Sequence, residues 1–166
     1  MKIANFTLKG VKSFRGHEGE TCYQGNIYMD NKKVGTFSDN SWSGEIDYDL
    51  DAQYEKKVKE NLKEWFTKNP FGLEEKYNIH NSRYNLLELY GENRLMEAML
   101  AELENLYYIE KELKSFNKKG YPLMALAKKS ERHNVNIYGI VEDAIADLKK
   151  EYKIVHILSL EDLEVA

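Results

Sequence analysis

The chain has 166 residues, 42% apolar and 31% charged, with a formal net charge of −4. That is too apolar for a disordered chain and short for two sizeable domains, so a single domain over residues 1–166 is expected. The acidic balance argues against direct nucleic-acid binding, where affinity comes mainly from neutralising phosphates. Cys22, the only cysteine, leaves no internal disulfide and points to a reducing, cytoplasmic setting. The longest apolar runs, Tyr121–Ala127 and Ile154–Leu158, are far too short to span a membrane, and Met1–Phe6 has no stretch of signal-peptide length.

The first fifty residues read as β structure. Ala4, Phe6 and Leu8 alternate with polar residues, the period of a half-buried strand, and the phase breaks at Gly10, where a bulge is expected. A hairpin over 23–39 follows. Tyr23–Met29 and Lys32–Asp39 flank Asp30-Asn31, two residues that tolerate the left-handed backbone of a tight turn. That turn should set Ile27 against Val34 and Tyr28 against Lys33. Gly25 and Gly35 should let a helix or an aromatic ring pack close to the sheet. After a turn cluster at Asp39–Gly44, Glu45–Asp51 alternates again, with Ile46, Tyr48 and Leu50 on one face and four carboxylates on the other.

Helical spacing of Tyr54, Val58, Leu62, Trp65 and Phe66 predicts a helix over Ala52–Lys68, ended by Asn69-Pro70, with Trp65 largely buried. A short helix is expected near Arg83–Tyr90. A long one over Asn93–Asn117 ends at Lys118-Lys119-Gly120. The C-terminal third reads strand (Tyr121–Ala127), strand (Asn134–Ile140), helix (around Val141–Leu148), strand (Ile154–Leu158), and the strand–helix–strand unit should run its two strands parallel. The fold class is therefore α+β: an N-terminal antiparallel sheet, central helices and a C-terminal strand-strand-helix-strand unit.

The feature that most invites a functional reading is the acidic strand. Residues two apart in an extended chain lie roughly 6.5 Å apart on one face. Glu45, Asp47, Asp49 and Asp51 thus make a row of like charges spaced much like successive phosphates. Such a row suits a surface that competes for a nucleic-acid-binding groove on another protein. The plain alternative is an edge strand kept from aggregating by its charges, with the last two aspartates helping the next helix to start. Asp47-x-Asp49-x-Asp51 lacks the turn glycine and distal glutamate of a calcium loop, so no metal is expected. Trp42, in a turn between two serines, is a candidate binding anchor or else a core cap.

No catalytic signature emerges. Cys22 beside His17 and Glu18 has no spacing that specifies thiol chemistry, and a strand cysteine is usually an apolar filler. His17, His80, His133 and His156 are dispersed, the basic turn Lys128–His133 reads as solvated loop, and phosphate loops, dinucleotide fingerprints and nucleophile elbows are absent. Neither an enzyme nor a cofactor is expected. The alternatives are a small enzyme whose site is assembled from dispersed residues, or an accessory protein that oligomerises through its long helix.

The stretch Tyr23-Gln24-Gly25-Asn26-Ile27-Tyr28-Met29-Asp30-Asn31-Lys32-Lys33-Val34-Gly35, with the polar turn Asp39–Gly44, resembles the opening of small hypothetical proteins from bacteriophages and other mobile elements. The resemblance covers about forty residues. Small acidic phage proteins without catalytic motifs are often inhibitors of host defence, anti-CRISPR proteins among them. It therefore implies a stoichiometric inhibitor whose partner is a host protein such as a nuclease, and it transfers no functional residues.

Overall fold

The computed structural model describes residues 2–39, 45–73, 84–130 and 135–164. The fold is α+β. The chain groups into two compact units, the first built from Met1–Gly72 and Tyr84–Asn105, the second mainly from Leu106–Val165. Among the described residues no helix is long and apolar enough to cross a membrane.

The first unit holds a five-stranded sheet in chain order, every neighbouring pair antiparallel: β1 (Lys2–Ile3), β2 (Phe6–Arg15), β3 (Thr21–Met29), β4 (Lys32–Asp39) and β5 (Ile46–Leu50). Ala4 is not a strand residue, as its alternation with Phe6 suggested. It takes a left-handed φ of 53° in a two-residue turn that sets Ile3 opposite Phe6. Gly10, at φ 62°, marks the expected break in register between Lys9 and Lys12.

Asp30 and Asn31 make the hairpin turn at φ 51° and 63°, and Tyr28 pairs with Lys33 as expected. Ile27, however, pairs with Gly35, because the register shifts between Ile27 and Tyr28. Val34 is the extra residue. Its side chain is fully buried, and its carbonyl accepts the Asp51 N–H at 2.9 Å. The two glycines of the hairpin admit different neighbours. The Phe37 ring lies 3.1 Å from where a Gly25 Cβ would sit, whereas a Cβ on Gly35 would collide with the Asp49 carbonyl oxygen. What comes close at Gly35 is strand β5, not a helix or a ring.

Helix α1 (Ala52–Lys68) has the expected bounds and buries Val58, Leu62 and Phe66, one residue per turn. Trp65 is only half-buried, a correction to the expectation. It precedes Phe66 by 100° around the helix and so lies on the shoulder of the buried stripe. The backbone N–H and side-chain amide of Asn69 both donate to the Trp65 carbonyl, at 2.8 and 2.9 Å, and close the helix.

Polar contacts tie α1 to the two tight turns. The Asn5 amide donates to Asn61 (3.1 Å) and to Asp30 (3.2 Å), and Lys57 reaches the Asp30 carboxylate at 2.8 Å. The hydrogen bonds from Lys57 and Asn5 hold the Asp30 carboxyl below its usual range. After α2 (Leu86–Tyr90), Gly91 and a 3₁₀ turn at Glu92–Arg94 lead into α3 (Leu95–Lys118). Arg83, the expected start of the short helix, lies outside the described residues. The first half of α3 belongs to this unit and buries Leu95, Met96, Met99, Leu100 and Leu103.

The second unit takes the remaining half of α3, with Leu106, Ile109 and Leu113 buried, and a three-stranded sheet. Its strands are β6 (Leu123–Lys128), β7 (Asn136–Ile140) and β8 (Lys153–Leu158), with α4 (Ile145–Glu151) between the last two. The order is β7-β6-β8, and both outer strands run antiparallel to β6. β7 and β8 therefore point the same way, as the strand–helix–strand reading required, but they are not neighbours. The apolar run from Met124 to Ala127 explains the insertion, since a strand buried on both faces belongs in the centre of a sheet. Gly139 on β7 has no room for a side chain, because the Phe116 ring of α3 occupies its place.

Candidate binding site on the edge strand

β5 is the last strand of the first sheet, paired on one side with β4. Glu45, Asp47 and Asp49 are exposed, while Ile46, Tyr48 and Leu50 are half-buried. The alternation from Ile46 to Leu50 is thus realised as two faces of one short edge strand, with Glu45 just before it. Asp51 is exposed too, but it has left the strand to stand at the N-terminus of α1, without a side-chain capping bond. Trp42, the other expected binding residue, lies outside the described residues.

The register places Asp47 beside Ser38 and Asp49 beside Thr36 on β4. Further along the same face come Gln24 and Asn26 of β3, then Lys12 and Lys9 of β2. The open face of the sheet therefore grades from acidic at β5 to basic at β2, with uncharged polar residues between.

The carboxylates are not equivalent. Glu45 meets the Arg94 guanidinium at 3.2 Å, and the Arg94 Nε donates to Glu97 at 2.9 Å. Arg94 also lies over the Tyr90 ring, 5.7 Å from its centroid. Glu45 is thus engaged by a residue of the same unit, at the head of α3. Sequence reasoning missed Arg94, Glu97 and Tyr90, and only the (i, i+3) spacing of Arg94 and Glu97 on a helix start could have hinted at them.

Behind the strand, on its apolar face, lie two hollows. One, of about 400 Å³, is lined by Tyr48 and Leu50 together with the buried Val58, Leu62, Leu95 and Met96, and by the polar Asp49, Glu55, Lys59, Glu92 and Asn93. The other, of about 310 Å³, is lined by Ile46 with Leu89, Tyr90 and Ala101, and by the charged Glu45, Arg94 and Glu97. Partial burial, reinforced by the Glu97 charge, raises the pKa of Tyr48 and of Tyr90, so both phenols stay neutral and can donate.

Elsewhere, Cys22 is fully buried while His17 and Glu18 are exposed, so the three do not gather into a thiol site. Among the described residues no group of three or more histidines, cysteines or carboxylates is placed to hold a metal ion. The apolar face of α3 is buried along its length, and Tyr108 is its one large exposed ring among the described residues.

Comparison with known proteins finds no matching family model, curated protein or solved structure.

Proposed function

We propose that this chain is a protein-binding inhibitor of phage or mobile-element origin, anti-CRISPR-like, with no catalytic role of its own. It sets the acidic edge strand β5 into the groove where a host nuclease, or another nucleic-acid-processing enzyme, takes phosphates. The observation that carries this reading is the exposure of Asp47 and Asp49 on one face of the edge strand, with the exposed Glu45 just before it. Their pitch of roughly 6.5 Å is close to that of a phosphate backbone. Attraction between such a row and a basic groove speeds encounter and excludes partners of the wrong charge.

The test uses the immobilised chain and a host lysate, and asks whether captured nucleic-acid-binding enzymes are released by added nucleic acid. Replacing the row together, Glu45→Gln, Asp47→Asn and Asp49→Asn, should abolish capture while leaving the fold intact. Capture by the wild type should weaken as salt rises, because exposed charges are screened over about 8–10 Å at physiological ionic strength. If the triple variant captures the same proteins and salt has no effect, the carboxylates serve only to protect the edge.

A further inference from the structure

We propose that β5 accepts a sixth strand: an extended, amphipathic segment of a partner protein, with Lys or Arg alternating with aliphatic residues. This inference rests on the reading of β5 as the docking surface and specifies how the partner is held.

Three observations meet on this edge. The first is the direction of its backbone. Asp51 donates its N–H to Val34 of β4 at 2.9 Å, and Thr36 and Ser38 pair with Asp49 and Asp47 in the same register. Successive residues of a strand send their N–H and C=O groups to opposite sides. Asp47 and Asp49 therefore bond to β4, and the peptide groups of Ile46, Tyr48 and Leu50 point to the open side. Among the described residues no hydrogen bond reaches those groups from outside the sheet.

The second observation is shape. The two hollows of about 400 and 310 Å³ both border β5 on its apolar face, one at Tyr48 and Leu50, the other at Ile46. Neither is lined by a β4 residue. They lie where alternate side chains of an added strand would descend, one over Val58, Leu62 and Met96 with Glu55, Lys59 and Glu92 around them, the other beside Leu89 and Tyr90 with Glu45, Arg94 and Glu97.

Charge is the third. On the opposite face the added strand would set its other side chains beside Asp47 and Asp49, where cations are favoured and anions repelled. A second copy of this chain does not fit. Antiparallel pairing of β5 with itself brings aspartate against aspartate, or in the alternative register aspartate against Ile46, Tyr48 or Leu50. Strand addition draws affinity from the backbone and specificity from alternate side chains, and both are present here.

The experiment is amide hydrogen exchange, read residue by residue on the whole chain with and without a short synthetic peptide of alternating lysine and valine. In the free protein, Tyr48 and Leu50 should exchange faster than Asp47 and Asp49. Adding the peptide should slow Tyr48 and Leu50 by roughly tenfold or more, and a peptide with glutamate in place of lysine should leave them unchanged. The proposal is overturned if the lysine peptide leaves both amides fast or the glutamate peptide protects them equally. It is equally overturned if both amides are already slow in the free protein, or become slow as its concentration rises, the mark of a self-paired edge. The two tests fail separately. Capture lost in the charge variant, with no peptide protection, removes strand addition and leaves the docking surface. Protection with capture unaffected by the variant keeps the open edge and removes the nucleic-acid groove as its target.

Discussion

Glu104, on the first half of α3, carries a carboxylate oxygen that is buried without a hydrogen-bond partner. Burial, with a smaller contribution from the Asp39 charge, raises its pKa from an ordinary 4.5 to about 8. Between those values the folded chain holds a proton that the unfolded chain has released. Stability therefore falls as pH rises through this window, and the penalty is complete above pH 8. Glu104→Gln should remove that slope. We expect the variant to match the wild type near pH 4 and to exceed it by roughly 3–5 kcal/mol at pH 9, since each pH unit between the two values is worth about 1.4 kcal/mol. Urea unfolding of both proteins at the two pH values checks this, and parallel curves would refute it. Nothing in the sequence singles out Glu104 from the other glutamates of α3, because its neighbour Asp39 is distant in the chain.

At the scale of elements, the clearest dependence is that of β5 on Gly35. A side chain at Gly35 meets the Asp49 backbone, which cannot move without leaving β4. Gly35→Ala should therefore cost roughly 1–3 kcal/mol, as overpacking does, and loosen the edge selectively. Amide exchange at Asp47 and Asp49 should accelerate while α1 stays protected; uniform change across the unit would show that the cost is not local.

The same residue shows how far the sequence could be read. Helix periods and turn chemistry placed α1 at its observed bounds and the hairpin turn at Asp30-Asn31, because both signals are local. The pairing of Ile27 with Gly35 was hidden, since the bulge that buries Val34 is completed by an Asp51 N–H from outside the hairpin. The alternation of β5 was legible, and with it the exposed carboxylates. The same charges suggested its edge position, but the hollows formed with α1 and α3 followed from no local pattern, because they depend on packing between segments far apart in the chain.

Considered whole, neither unit is one continuous segment. The first closes only when Tyr84–Asn105 returns to Met1–Gly72. The left-handed Gly72 lies against Leu86 and Glu102, with no space for a side chain. A fragment of residues 1–72 keeps all five strands and α1 but loses Leu95, Met96, Met99, Leu100 and Leu103. Domains of that length stand near the limit of independent stability even with a full core. We expect the fragment to lack a cooperative thermal transition and to bind a hydrophobic dye; a sharp melt would show that the sheet and α1 suffice.

Arg94 gives the edge an occupant of its own. Its guanidinium already sits against Glu45 at 3.2 Å, so a cation arriving there displaces a resident one. Binding at that end is then an exchange reaction, in which the gain is the difference between two similar contacts. Glu45 thus acts as a shared terminal for internal and external cations. Removing the resident should tilt the exchange. Arg94→Ala is expected to tighten binding of the lysine–valine peptide by about twofold to fivefold, within the range of a single exposed ion pair. Unchanged or weaker affinity in a titration would mean that Arg94 positions Glu45 and does not compete for it.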